Sequence, residues 1–395
     1  MRLLVVGGGV AGPAVALAAT RLGLQATVLE RRPVLDPTEG SWLTVAPNGL
    51  DALAVLGVLD DARAVGHPSR LNSMYGATGR HLGDVTLGVP LDDGTVALTM
   101  RRSALAALVT DAATRAGADV RLGAEVTAVH DDGNAVRAVL ADGSVVEGDV
   151  LVAADGVRSR VRAAIDPAAP GARYVGLTNF GGITSGTSVG ASLTPQAWHF
   201  VFGRHSFFGA HPLPTGEVVW FANVPRPEIS REERSATSEA EWLGWLAGLV
   251  ADDAGPASDL VASGRLELAG DNTFDLPHVP TWWRGRCVLV GDAAHAPSPS
   301  SGQGAAMALE DAVVLARSLS AHGVDGLRAY EQARRKRVEA IVKAGARSSS
   351  AKIPGRVGRV PMETMLGLVF RSGVAARSTE GFTAHRLGAL LSPTR

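Results

Sequence analysis

The sequence predicts an α/β chain with an open parallel sheet. A second, mostly antiparallel β-sheet domain is inserted into it, and a helical segment ends the chain. Three observations carry this. The chain opens strand–helix–strand, with a glycine cluster between the first strand and the helix. A short apolar strand ending in a small-residue turn with an aspartate returns twice, at Asp155-Gly156 and at Gly291-Asp292. Between those returns, residues 176–224 change character and concentrate aromatic side chains.

Residues 2–6 are short, apolar and ended by glycines, as a buried parallel strand is. Residues 13–22 read as a helix, with proline in the first turn and Gly23 past the end. Residues 25–30 give the second strand, and such a βαβ unit places ligand at the strands' C-terminal ends. Strands follow at 149–154 and 286–290, and a helix at 304–319. In the inserted domain Phe180, Trp198, Phe200, Phe208 and Trp220 recur, and Pro212 to Gly216 separate two β-rich runs. A β-like piece at 71–98 is expected to join them. The resulting units are 1–70, 99–175 and 282–345 for the parallel-sheet domain, 71–98 and 176–281 for the inserted domain, and 346–395 for the C-terminal helical segment. Residues 328–350 read as an amphipathic, Arg-rich helix whose Arg334-Arg335-Lys336-Arg337 run forms a solvated face.

Composition removes several function classes. The chain has 395 residues, 38 Lys+Arg against 39 Asp+Glu, and a net charge of −1. That balance offers no basic excess for phosphate neutralisation, so no nucleic-acid partner is expected. A single cysteine, Cys287, forms no intrachain disulfide and reads as a buried structural thiol, which fits a reducing, cytoplasmic compartment. No apolar run reaches the ~20 residues of a membrane span. The ten histidines fall into no metal-ligand spacing, so no metal is expected. Gly-x-Ser-x-Gly is absent. All three lysines, Lys336, Lys343 and Lys352, lie near the C-terminus, so none in the first 335 residues can form a Schiff base.

Gly7-Gly8-Gly9-Val10-Ala11-Gly12 satisfies Gly-x-Gly-x-x-Gly in a Rossmann-like setting. Gly7 permits the tight turn, Gly9 lets the backbone approach a pyrophosphate, and Gly12 permits close helix–strand packing. The helix N-terminus then faces the phosphates. Glu30 ends the second strand, where a carboxylate bonds a ribose hydroxyl. This reading yields a dinucleotide and leaves NAD and FAD open. The segment from Asp155 to Arg162 combines an Asp-Gly turn with basic residues and suits anion binding. Gly291-Asp292-Ala293-Ala294-His295, followed by Pro299 to Gly304, can bond a polyol and bring backbone close to a flat ring. A flavin suits the helix that follows, because reduction places negative charge where a helix N-terminus stabilises it.

The three segments in this order resemble the single-component FAD-dependent aromatic hydroxylases, the flavoprotein monooxygenases of the para-hydroxybenzoate hydroxylase type. Salicylate hydroxylase-like and tetracycline-inactivating members belong to the same family. The resemblance covers residues 1 to about 340. It implies non-covalent FAD, with Gly7, Gly9, Ala11 and Gly12 at the pyrophosphate and Glu30 and Arg31 at the adenosine. It places Arg102, from Arg-Ser-Ala-Leu, on the cofactor. Asp155 serves both FAD and NAD(P)H, Gly291 and Asp292 meet the ribitol, and Pro299, Gly302, Gly304 and Ala305 line the flavin ring. Ala306 departs from the family, where many members carry asparagine. The implied reaction uses NAD(P)H as reductant and O2 as co-substrate, and hydroxylates or epoxidises an aromatic or polycyclic small molecule through a flavin C4a-hydroperoxide. The alternative is a non-oxygenating flavoprotein oxidoreductase or a flavin-bound cyclase. Halogenation fits less well, since the first third lacks a lysine and Trp282-Trp283 is not Trp-x-Trp. A monomer or homodimer is expected.

Strand alternation puts Phe207, Gly209 and His211 on one face and Val219, Phe221 and Asn223 on one face of the neighbour. Phe207, Gly209, Val219 and Phe221, with Pro299, are the expected substrate pocket. Periodicity does not say which face meets the flavin. Of the sheet's histidines, His211 is the expected proton acceptor, because imidazole titrates closest to neutrality.

Overall fold

The computed structural model describes residues 1–276, 278–298, 301–350, 359–389 and 391. From the N-terminus come β1 (Arg2–Val6), α1 (Ala11–Arg21), β2 (Gln25–Leu29), β3 (Trp42–Val45), α2 (Pro47–Val55), α3 (Leu59–Val65) and β4 (His67–Ser69). Next are β5 (Leu71–Gly76), β6 (His81–Thr86), β7 (Ala97–Arg101), α4 (Arg102–Arg115) and β8 (Asp119–Arg121). A meander of β9 (Val126–Asp131), β10 (Val136–Leu140) and β11 (Val145–Gly148) leads into β12 (Val150–Ala153) and α5 (Arg160–Ile165). The inserted region holds β13 (Arg173–Thr184), α6 (Val189–Ser192), β14 (Ala197–Phe202), β15 (Phe207–Pro212) and β16 (Val218–Pro225). It continues through α7 (Arg231–Ala236), α8 (Glu239–Val250), α9 (Ala257–Ala262) and β17 (Arg265–Asp275). The chain returns through β18 (Trp283–Arg284), β19 (Cys287–Leu289), α10 (Gly304–His322), α11 (Gly326–Ser350), α12 (Arg359–Arg371) and α13 (Val374–Thr383).

The first sheet has the order β18-β19-β12-β1-β2-β8, parallel except for the β18 edge. Leu3, Leu4, Val5 and Val150 to Ala153 are buried to 1% exposure or less. Helix α1 and the β9–β11 meander pack into one core with these strands, which is why they are apolar without alternation. Helix α1 starts at Ala11, two residues before Pro13, because proline in a first turn removes no intrahelical bond.

The second sheet has the order β17-β13-β16-β15-β14-β5-β6 and is antiparallel except where β14 runs parallel to β5. The expected 71–98 piece divides here. Its β5 and β6 join this sheet, but Ala97 opens β7, which pairs with β3 and β4 in a separate three-stranded sheet. One face of the large sheet, with Phe180, Phe208 and Trp220, packs under Trp242 and Leu246 of α8 and Leu260 of α9. The other carries Trp198, Phe207 and Phe221 and turns toward the β3–β7–β4 sheet. Among the described residues no helix is long and apolar enough to cross a membrane, and no cluster of side chains could hold a metal ion.

Candidate cofactor and substrate site

The three glycine-bearing turns meet at the C-terminal end of the parallel sheet. Gly7 has φ +112°, and a Cβ there would lie 2.4 Å from the Ala154 carbonyl oxygen. A Cβ on Gly12 would lie 1.9 Å from the Gly7 oxygen, and one on Gly291 would lie 3.0 Å from the Ala11 Cβ. These glycines are required by chain packing against chain. Gly9 is different: nothing stands within 4 Å of a Cβ built on it. It opens onto free space at the start of α1, and no side chain caps that helix. α2 and α10 also begin without a side-chain cap. α3, α4, α6, α9 and α13 are likewise uncapped, whereas Ser159, Ser230 and Ser238 cap α5, α7 and α8. Uncapped N-termini keep N–H groups and a positive dipole end available to an anion. Together with the open side of Gly9, they fit FAD.

Glu30 accepts hydrogen bonds from the Gly8 N–H (2.5 Å) and from the backbone (3.0 Å) and Nε (2.7 Å) of Arg32. Burial pushes its pKa up, but these bonds outweigh that and hold the carboxyl below its ordinary range. Arg32, not Arg31, is the arginine bonded to it, and Arg31 is exposed. Arg102 opens α4 with its side chain exposed and its backbone N–H bonded to the Ser41 carbonyl.

Asp155 sits below the second turn. Its Oδ2 accepts from the N–H groups of Arg160 (2.9 Å) and Val161 (3.3 Å), whereas its buried Oδ1 has no partner among the described residues. Burial raises its pKa against those bonds. An orphaned acceptor of this kind is what a bound group satisfies. Arg162, expected among the anion-binding residues, is buried at 4% exposure. Its guanidinium donates to the carbonyls of Ala293 (3.0 Å) and Val157 (2.8 Å), so it fastens the second turn to the third. Asp292 lies half-buried in a single 3-10 turn, Gly291–Ala293. Gly302 has φ +60° and Gly304 opens α10, followed by half-buried Ala305. Pro299 lies outside the described residues. Ala306 is buried against α2: a Cβ on Gly49 would lie 2.9 Å from the Ala306 Cβ.

The Arg334–Arg337 run is not a solvated face. Arg334 is 1% exposed and donates to Asp311 Oδ1 (2.7 Å) and Glu310 Oε2 (2.5 Å). Arg337 donates to both Glu310 oxygens, and Arg335 to Glu331 and Glu339. Two adjacent acids inside the buried stretch of α10 demand cations, and α11 supplies them. Asp311 also accepts from His295 Nε2 (2.5 Å) and the Gly291 N–H (3.0 Å). Burial opposes its ionisation, yet His295 and Arg334 hold its pKa down at about 2. Asn48 at the start of α2 donates to Gln303 (3.0 Å) and Glu310 (2.7 Å). The network therefore ties α2, the Gly291 turn and the start of α10 into one support under the cofactor end.

On the inserted sheet, Phe207 pairs with Asn223, Gly209 with Phe221 and His211 with Val219, so the residues expected on one face do share it. Phe207 and Val219 are buried and Phe221 is half-buried. Gly209 faces rings rather than open space: a Cβ there would lie 2.4 Å from Phe221 and 2.8 Å from Phe200. His211 is 1% exposed and burial pushes its pKa down to about 4, so the ring is neutral near pH 7. It ends a chain of hydrogen bonds. The Trp198 indole N–H donates to Thr44 (2.9 Å), Thr44 meets Thr99 (2.8 Å), Thr99 meets Ser69 (2.7 Å), and Ser69 meets His211 Nε2 (2.9 Å). An indole N–H only donates, so Thr44 and Thr99 (3.2 Å) both accept from Trp198, and each hydroxyl along the chain keeps one proton to give and lone pairs to accept with. His211 Nδ1 is buried and without a hydrogen-bond partner among the described residues.

The same chain joins the two halves of the site. Thr44 lies on β3, three residues before α2 begins at Pro47, so the aromatic face is bonded to the strand that leads into the cofactor end. Sequence reading missed α2 in this place. Its signal was Pro47 at a helix start directly after a strand.

Comparison with known proteins agrees with this arrangement. The FAD binding domain family profile matches residues 1–345. The chain is 31% identical over 326 residues to aurachin C monooxygenase/isomerase of Stigmatella aurantiaca, covering 81% of each chain. It is 32% identical over 371 residues to the 2-heptyl-3-hydroxy-4(1H)-quinolone synthase of Pseudomonas aeruginosa, covering 91% of this chain and 90% of that one. The crystal structure of Klebsiella pneumoniae HpxO complexed with FAD and uric acid superposes with a TM-score of 0.82 at 26% identity, covering 97% of this chain and 96% of that one. An FAD-compatible cradle of three turns, a profile spanning most of the chain and relatives of this kind lead to one conclusion: the chain belongs to the FAD-binding family of flavoprotein hydroxylases and monooxygenases.

Proposed function

We propose that this chain hydroxylates or epoxidises an aromatic or polycyclic small molecule, using NAD(P)H as reductant and O2 as co-substrate. The observation that carries this reading is the direct bond between the aromatic face and the cofactor end, through Trp198 and Thr44 (2.9 Å). Bound FAD supplies the redox chemistry and oxygen activation. The chain supplies the rest. Gly7, Gly9, Ala11 and Gly12 hold the pyrophosphate, Glu30 and Arg31 the adenosine end, and Arg102, Gly291 and Asp292 the middle of the cofactor. Gly302, Gly304 and Ala305 present the α10 N-terminus to the ring, and Asp155 serves reductant use. Residues 1–70, 99–175 and 282–345 form the cofactor unit in this reading, and 71–98 with 176–281 the substrate unit. The aromatic face excludes water from the reacting atoms. His211 enters as a positioning residue and not as a proton acceptor, because its ring is enclosed and a base with pKa about 4 is weak at pH 7.

The test supplies purified FAD-loaded protein with NAD(P)H, isotopically labelled O2 and candidate aromatics. Substrate-dependent NAD(P)H consumption with one labelled oxygen atom in the product is expected. Product formed without label would favour the non-oxygenating alternative.

A further inference from the structure

The inner face of the inserted sheet is a surface of aromatic carbon. Trp198, Phe200, Phe207 and Phe221 contact one another with ring centroids 5.2–6.0 Å apart, and the β3 residue Trp42 packs against the same cluster. The least buried of them, Trp42, Phe200 and Phe221, are the rings a ligand can reach. Gly209 lets two of the rings pack over β15, since any side chain there would strike them.

The polar groups bordering this face are mostly uncharged, and the charged ones are paired with one another or reach solvent. At one end are the hydroxyls of Thr44, Thr99 and Ser69 with the neutral His211 ring. At the other, Asn223 donates to Asn179 at 2.6 Å. The register then sets Asp271 opposite Asn179; Arg234 pairs with it (3.8 Å), and the other arginines whose charge reaches it, Arg102 and Arg158, have exposed side chains. A cation does stand beside Trp42, but Arg101 closes both arms of its guanidinium on Glu267 (2.7 Å each), and the Trp42 indole donates to the same carboxylate (3.0 Å). Arg265, also on Glu267, has a side chain 64% exposed to solvent. A substrate carboxylate on this face would therefore lie buried without a counter-ion, which is strongly unfavourable.

We infer that the substrate is an uncharged, flat, apolar aromatic or heteroaromatic compound, held by ring stacking and not by an ion pair. The inference rests on the oxygenase reading only in assigning this face to the substrate.

Binding to the oxidised, FAD-loaded full chain without reductant tests it apart from catalysis. The probes are matched pairs: an alkyl-substituted quinolone, indole and naphthalene, each against its ring carboxylate. Tryptophan fluorescence and the flavin absorption band report binding. The neutral member should bind at least about tenfold more tightly in each pair. In Phe221→Lys, which places a cation on the half-buried part of the face, the carboxylate should gain and the preference should narrow or invert. Wild-type protein that prefers the carboxylates, or binds no neutral member, overturns the inference. A preserved neutral preference without label incorporation would instead remove the oxygenase reading and leave the substrate class standing.

Discussion

The cofactor end and the aromatic face solve opposite problems with opposite residues. At the cofactor end, side chains are removed: Gly7, Gly12 and Gly291 let backbone touch backbone, and Gly9 leaves an opening. On the inserted sheet, bulky rings fill the surface and one glycine, Gly209, makes room for them. Charge is divided the same way. Beneath the cofactor end, Arg334, Arg337, Glu310 and Asp311 balance one another in the core, whereas the aromatic face is bordered by hydroxyls, amides and the closed Arg101–Glu267 pair. A charged cofactor is met by backbone and helix ends, while in the reading proposed above an apolar substrate is chosen by side chains.

Glycine substitutions break the comparison most sharply. Gly12→Val drives a Cβ into the Gly7 oxygen and should prevent folding, a loss above about 4 kcal/mol seen as insoluble or molten protein. Gly9→Val meets no protein atom, so the chain should fold normally but purify colourless. Circular dichroism with FAD quantitation separates the two. A yellow Gly9→Val protein would put the pyrophosphate elsewhere.

The buried network comes next. Arg334→Met leaves Asp311 and Glu310 undercompensated and should cost about 3–5 kcal/mol, measured by denaturant titration. Asp311 has a folded pKa of about 2, below its ordinary 3.8. Its contribution is therefore complete above the unfolded value and is lost as pH falls from there through about 2.

At the cofactor itself, Asp292→Ala should weaken FAD by about 1–3 kcal/mol, roughly 5- to 150-fold. Asp155→Ala should retain more FAD and lose more NAD(P)H oxidation. Equal FAD loss in both, on titration of the apo-proteins, would reject that division.

The smallest effect is expected at His211. Its folded pKa lies near 4 against an ordinary 6.5. The stability it confers is full above 6.5 and is lost as pH falls through the folded value near 4. His211→Gln should flatten that part of the stability profile and leave the pH dependence of product per NAD(P)H unchanged between about pH 6 and 8. Loss of the acidic limb of activity would make His211 the proton acceptor after all.

Much of the cofactor end was legible because its requirements are local. A strand, a glycine turn, a helix and a terminal acid occupy 30 consecutive residues, and the turns at Asp155 and Gly291 repeat the syntax. The facing relation of Phe207, Gly209 and His211 followed from strand alternation. What stayed hidden depends on distant partners. Arg334 resembles any surface arginine until Glu310 and Asp311, more than 20 residues upstream on another helix, are seen to need it. Which face of the inserted sheet turns toward β3 depends on Thr44 receiving Trp198, residues 154 apart in the chain. The split of the 71–98 piece likewise depended on β7 finding β3 and β4.

FAD is expected along the three turns, with its ring between the α10 N-terminus and the aromatic face. A crystal structure of the FAD complex tests it most directly. The pyrophosphate should lie over Gly9 at the start of α1, and the ring should lie beside Gly302 to Ala305 on the side of Trp198 and Phe221. A ring on the opposite face of the inserted sheet, among Phe180, Trp220 and α8, would contradict the account.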